Sequence, residues 1–327
     1  MKGLDVGTGN FVLADADGIY LQRNAFLTIN KDATSTRQLK IMNVPYIEID
    51  GRFHIVGQKA YEYAQVFNAS NLRRPMSGGL LNPSEQDALP ILKVIIEELI
   101  NQSGNATPGE AITYSIPGHP IDQDREVNYH EDVLSKIITS VGFIPKSLNE
   151  GVALGTAGLA DHQLTGISIS MGAGMCNIAI MYAGMSALQF SVAKGGDWID
   201  AQVSTDVGIS KARAQFLKES GDYTIDPASE DERTRAQQAI KTYYEVLIRY
   251  LLNNIEQQFV SSSMPDFPNA VPIVIGGGTA MVKGFLGVFK EQFKQKEFPL
   301  NILNVLLVKE PLTAVARGCL LDAQLGE

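Results

Sequence analysis

The sequence has only two cysteines, Cys176 and Cys319, too few for a disulfide framework and suited to a reducing cytoplasm. Basic residues are not in excess: 27 Lys and Arg face 36 Asp and Glu, a net charge of −9. That balance disfavours direct nucleic-acid binding and general adhesion to acidic lipid. There is no uninterrupted apolar run of about 18 residues, the length needed to cross a membrane. Nor is there a basic-then-apolar leader, because strand-like sequence begins almost at Met1. The expectation is a cytoplasmic protein without an evident membrane-insertion segment. The pattern GxxxxGK[ST] is missing, which argues against a P-loop nucleotide hydrolase. What is present is ordinary for a globular chain: 45% hydrophobic and 19% charged residues over 327 positions, enough for two domains with proper cores.

The most informative stretch is Gly3-Leu4-Asp5-Val6-Gly7-Thr8-Gly9-Asn10. It is followed by Phe11-Val12-Leu13-Ala14, an Asp-Gly turn at Asp17-Gly18, and Ile19-Tyr20-Leu21, so the glycines join two strands. A dinucleotide fingerprint would need a helix and a third glycine there. A glycine-tipped hairpin still lets backbone N–H groups approach phosphate oxygens closely, and Asp5 beside it suits a hydrated Mg²⁺. The pattern recurs at Ile169-Ser170-Met171-Gly172-Ala173-Gly174-Met175, with a constant offset of 165 (170 minus 5). Two such hairpins point to two similar domains facing a shared cleft, and to phosphate binding.

The remaining elements follow in order. Residues 1–60 read as strands, including a hairpin over 44–57 in which His54 takes a packing or surface role. Residues 73–79 form a linker. A helix is expected from about Ser84 to about Ile100, with Pro90 kinking it or delaying its start. A strand ending at Ile116 precedes a helix from about Asp122 to Gly142. Small residues at 150–159 predict a helix pressed closely against a neighbour. A helix opens at Gly195-Gly196-Asp197, another runs from Ser210 to Glu219, and a long one covers 231 to about 262. The strand at 272–275 runs into Gly276, Gly277, Gly278 and Thr279, where N–H groups at a helix start suit an anion or a nucleotide sugar. Pro311 lies in the first turn of the last helix.

Together these motifs resemble the superfamily of actin, sugar kinases and heat-shock chaperone ATPases, most closely the MreB-type bacterial actins. The resemblance spans nearly the whole chain. LDVGTGN and SMGAGMCN resemble the two phosphate hairpins, Asn149-Glu150-Gly151-Val152-Ala153-Leu154-Gly155 the connecting helix, VIGGGTAMVKGF the adenosine motif, and EPLTAVARG the bacterial-actin tail. Gly195-Gly196-Asp197 and ISKARAQFLKE are similar to further MreB-type segments.

The resemblance implies an α/β fold of two similar actin-like (ribonuclease-H-like) domains around a nucleotide cleft, 1–148 with 309–327 and 149–308. It implies ATP and Mg²⁺ as cofactors, self-association into filaments, an adaptor protein as a further partner, and hydrolysis coupled to polymer dynamics. Asp5 would orient Mg²⁺ or its waters. Gly7, Thr8, Gly9, Asn10, Gly172, Ala173 and Gly174 would hold phosphates; Gly196, Lys218, Gly276, Gly277, Gly278 and Thr279 would contact the nucleotide. Asp124 falls in the segment that carries the water-activating residue, although an acid there equally suits the positive end of a helix dipole.

Two departures stand out. Ser170 replaces the aspartate that begins the family's second hairpin, which predicts slow hydrolysis. Ile275 lies only 57 positions after Lys218 (275 minus 218), so the small subdomain of the second half is expected to be reduced to about residues 220–230. An actin-like, ATP-binding, filament-forming cytoskeletal protein is the leading reading. A monomeric ATP-driven chaperone or reactivase of the same fold, a nucleotide-independent scaffold, and a small-molecule kinase stand as alternatives.

Overall fold

The computed structural model describes residues 1–42, 44, 46–66, 72–104 and 107–325. Pro45 of the expected hairpin and the last two residues of the expected first domain, 326 and 327, lie outside them.

The glycine hairpins seed two sheets of the same design. In the first, Ile19–Arg23, Asn10–Ala14, Lys2–Val6, Ala111–Ile116 and Ile144–Asn149 lie side by side. In the second, Met185–Val192, Cys176–Tyr182, Gly166–Met171, Val271–Gly276 and Ile302–Leu307 repeat the order. Each has an antiparallel meander whose first strand continues into two parallel neighbours. The register repeats as well as the order: Asp5 pairs with Val12, and Ser170 pairs with Asn177. The constant offset is therefore a structural repeat, and the α/β fold of two similar domains is what the chain adopts.

The centres of both sheets are covered on two faces, so their strands read as apolar runs instead of alternating ones. Leu4, Phe11 and Leu13 pack beneath the Ala88–Ser103 and Val127–Ser140 helices, which contribute Ile91, Leu92, Ile95, Leu134 and Ile138. Ile167, Ile169, Ile178, Ile273 and Ile275 pack against the Arg235–Ser261 helix, whose stripe is Ile240, Tyr244, Leu247, Leu251 and Ile255. Each fully buried aliphatic side chain contributes about 1.5–3 kcal/mol, and these two clusters hold most of the core.

The helices Glu150–Gly158 and Ala314–Leu325 cross between the two sheets. Their small residues are required by the spacing. A Cβ on Gly318 would lie 1.8 Å from the Ala153 carbonyl oxygen, and one on Gly155 would lie 2.1 Å from Met181 Sδ. The close packing expected of residues 150–159 is present.

Several boundaries differ from the sequence reading. Residues 1–60 include two helices, Ala33–Ile41 and the start of Gly57–Val66, which flank a four-stranded sheet of Tyr46–Ile49, Arg52–Val56, Phe26–Asn30 and Leu72–Arg73. The first helix buries only Ser35 and Leu39, too few to give an apolar period, and is held by an Asp32–Ser35 capping box. His54 is fully buried in that sheet with Nδ1 3.0 Å from Thr28 Oγ1, the packing role. The helix expected from Ser84 begins at Ala88, which puts Pro90 in the first turn, where no N–H is missed. The helix expected from Asp122 begins at Val127, because the Asp122 carboxylate instead accepts from Ala193 N and Tyr250 OH, both at 2.8 Å. The glycine loop runs directly into a 3₁₀ turn, Gly278–Met281, and the helix proper, expected from about Ala280, is Phe285–Lys294. Residues 220–234 contain neither helix nor strand, in keeping with a reduced small subdomain. Among the described residues no helix is long and apolar enough to cross a membrane.

Candidate functional site

Between the two halves lies a cavity of about 380 Å³, lined by both glycine hairpins. The hairpins turn in the same way: Gly7 N donates to the Asn10 carbonyl at 3.1 Å, and Gly172 N to the Met175 carbonyl at 2.9 Å. Their tips meet. A Cβ on Gly174 would lie 2.2 Å from Gly79 N and 2.5 Å from Thr8 Oγ1, and one on Gly9 would lie 3.3 Å from Ala173 Cβ. Thr8 Oγ1 accepts from Gly79 N at 3.0 Å, so the turn between Met76–Ser77 and Leu80–Leu81 closes this end of the cleft. Arg125 secures that turn by donating to the carbonyls of Ser77 and Gly78.

The second hairpin is braced from behind. Gly172 O accepts from Gly196 N at 3.0 Å and from Thr279 Oγ1 at 2.8 Å, while Ala173 O accepts from Asp197 N at 2.8 Å. The first N–H groups of the Gly196–Val207 helix are therefore spent on the hairpin. Gly277, at φ 89°, admits no side chain because a Cβ would lie 2.3 Å from the Met171 carbonyl oxygen. Lys218 is buried and donates to Gly196 O at 2.9 Å and Asp200 Oδ2 at 2.8 Å. Burial raises Asp200 to about 6, and the Lys218 ammonium opposes that rise.

Two carboxylates form the floor. Ser115 Oγ donates to Asp5 Oδ1 at 2.8 Å and itself accepts from Val6 N, fixing the Asp5 side chain. Glu150 is the first residue of the connecting helix, whose N-cap Asn149 accepts from Gly151 N and Val152 N. Its Oε1 accepts from Ser170 Oγ at 2.7 Å and its Oε2 from Asn177 Nδ2 at 2.8 Å. Burial pushes both carboxyls upward, and the neighbouring Asp5 charge pushes Glu150 further. Two desolvated acids facing one cavity, with no lysine or arginine bonded to them among the described residues, favour a cation or a shared proton between them.

Of the residues singled out from sequence, Asp5, Gly7, Thr8, Gly9, Asn10, Gly172, Ala173, Gly174, Lys218, Gly277, Gly278 and Thr279 line this one cavity. Gly196 packs directly behind it. Gly276 pairs with Ser170 and packs on Leu154, outside the lining. Asp124 is exposed and also lies outside the lining, because the chain reaches its helix only at Val127. Glu150 was missed as a site residue, although Asn149-Glu150 carried the signal of a capped helix with an acid in its first turn. Ser115, Asn177 and Arg74 were also missed: each becomes informative only through a neighbour remote in sequence.

A family model described as Volactin matches residues 1–323. Among solved structures, a MamK double helical filament superposes with a TM-score of 0.76 at 20% identity, covering 99% of this chain and 98% of the other. MreB5 of Spiroplasma citri bound to AMPPNP gives 0.72 at 12% identity, covering 99% and 96%. The ethanolamine utilization protein EutJ from Carboxydothermus hydrogenoformans gives 0.56 at 14% identity, covering 98% and 88%. No match is found among curated proteins. At these identities the likeness to solved structures shows the fold, an actin-like one over nearly the full chain.

Proposed function

The chain belongs to the Volactin family, and from that premise we propose that it is an actin-like cytoskeletal protein that binds ATP with Mg²⁺ and assembles into filaments. The observation that carries the nucleotide part is the pair of glycine hairpins in identical register, tip to tip over Asp5 and Glu150. The filament part is supported by the likeness to MamK and MreB5, one a filament and the other bound to AMPPNP. AMPPNP is a triphosphate analogue, which makes ATP the natural counterpart here.

The donor set fits Mg²⁺. Among the described residues no group of three or more His, Cys, Asp or Glu side chains is placed to hold a metal. Mg²⁺ needs no such cage, because it takes one or two carboxylates and completes its shell with phosphates and water. Asp5 would hold it directly or through water, and bound there it would neutralise phosphate charge.

The chain's own residues do the rest. The two tips orient the phosphates through backbone N–H groups and exclude bulk water. Glu150, held by Ser170 and Asn177, is placed to orient a water or take its proton, the role that the sequence resemblance assigned to Asp124. Ser170 contributes no charge but fixes Glu150. With no carboxylate at that hairpin position to help hold the ion, hydrolysis is slow compared with relatives that carry an aspartate there.

Electron microscopy and pelleting of the purified protein, with and without ATP and Mg²⁺, test this reading. Filaments that require ATP and Mg²⁺ support it. A persistent monomer that hydrolyses ATP would favour the chaperone-type alternative, and filaments indifferent to nucleotide would favour a scaffold.

A further inference from the structure

Away from the glycine tips, and from the 118–122 segment that bonds to Ser191, Ala193 and Tyr250, a further set of polar side chains joins the two halves. Arg74 directly follows the Leu72–Arg73 strand of the small sheet, and its Nη1 donates to both carboxylate oxygens of Asp197 at 2.8 Å. Its Nη2 donates to Gln215 Oε1 at 3.5 Å. Alongside, Arg23 Nη2 donates to Glu219 Oε2 at 3.4 Å, and the Tyr61 hydroxyl donates to Gln215 Oε1 at 3.3 Å. The Arg23 guanidinium also sits over the Tyr61 ring, 5.0 Å from its centroid.

The donors and acceptors are sorted by domain. Arg23, Tyr61 and Arg74 all come from the first half, whereas Asp197, Gln215 and Glu219 sit on the Gly196–Val207 and Lys211–Glu219 helices of the second. Except for Tyr61, these residues also line the cavity. At its base the cleft is tied by the packed helices Glu150–Gly158 and Ala314–Leu325, so rotating the halves apart must break the polar contacts while leaving the apolar base intact. The Arg74 and Asp197 side chains are 21% and 38% exposed, shielded enough for a charge-assisted contact to count. Lysine cannot supply the same planar fork.

We propose that Arg74, with Arg23 and Tyr61, forms a clasp onto Asp197, Gln215 and Glu219 that holds the cleft shut and sets the rate at which nucleotide leaves it. This rests on the nucleotide reading above and adds to it a control on exchange. The clasp lies apart from the Asp5 and Glu150 floor, so loosening it changes how fast nucleotide escapes more than how it is coordinated.

The test is release of a fluorescent ATP analogue from the full-length protein in Mg²⁺, chased with unlabelled ATP. Arg74→Ala and Asp197→Asn are each expected to speed release about tenfold, with the double change no faster than either single one. The charge exchange Arg74→Asp with Asp197→Arg should regain much of the slow release. Raising salt should speed release from the unaltered protein more than from Arg74→Ala. Gln215→Ala, which keeps both charges, guards against misfolding of the charge variants and should speed release about twofold. Release within twofold of the unaltered protein in both charge variants would overturn the clasp and leave the nucleotide site standing. Failure of the unaltered protein to bind the analogue would overturn the nucleotide reading and the clasp with it.

Discussion

Replacing Glu150 by glutamine tests the floor of the cleft most directly. In the folded chain Glu150 is lifted from the ordinary 4.5 to about 8, by burial first and by Asp5 second. A carboxyl raised in this way binds more protons folded than unfolded, so its cost appears as pH rises above the unfolded value and is complete above the folded one. At pH 7 that cost reaches about 3 kcal/mol, and at pH 5 it falls below about 1 kcal/mol. Glutamine has no proton to hold and removes the cost. Its amide presents two N–H groups where the protonated Glu150 carboxyl presents one O–H. Asn177 cannot turn to receive it, because Asn177 Oδ1 accepts from Gly118 N at 2.9 Å. The Ser170 hydroxyl can rotate and accept instead, at about 1 kcal/mol for the rearranged bond. Glu150→Gln is therefore expected to be about 2 kcal/mol more stable than the unaltered protein at pH 7 and no more stable at pH 5. Urea unfolding without nucleotide at the two pH values measures this. An equal gain at both, or a loss at pH 7, would refute the reasoning. Phosphate release by the same variant should fall about a hundredfold if Glu150 handles the water.

Three further outcomes follow from the geometry. Asp5→Ala should abolish Mg²⁺-dependent binding of an ATP analogue, and unchanged affinity by fluorescence titration would remove Asp5 from the metal site. Gly174→Ala forces a methyl to within 2.2 Å of backbone at Gly79; it should cost about 1–3 kcal/mol in thermal unfolding and weaken analogue binding, since neither tip can yield without parting the halves. Lys218→Met leaves the buried Asp200 without its cation, which should destabilise the protein by about 3 kcal/mol at pH 8 and by much less at pH 5, where Asp200 takes up a proton.

The repeat was legible in the sequence because backbone demands are local. A turn that brings Gly7 and Gly172 against the carbonyls of Asn10 and Met175, and Gly174 against the backbone of Gly79, leaves little room for a side chain, and the flanking strands advertise themselves by apolar runs. The long helix at 235–261 was equally plain, since its buried stripe has one period throughout. The helix at 33–41 was not, because it is amphipathic in neither sense and depends on an Asp32–Ser35 cap. Helix starts at 88 and 127 were placed early for a related reason: a capping residue such as Asp122 has other partners open to it once the second half arrives.

By itself, then, the order of residues determined the twin hairpins, the placement of Asp5, and the absence of a carboxylate at Ser170. Only tertiary structure decided what Ser170 is for. The strand carrying it lies beside the head of the connecting helix, so its hydroxyl meets Glu150, and the second acid missing from the hairpin is supplied by a residue 20 positions earlier (170 minus 150). The same folding tied Arg74 to Asp197 and left Asp124 on the surface. A carboxylate's role depends on what desolvates it and what charge it faces, and neither is encoded in the residues next to it.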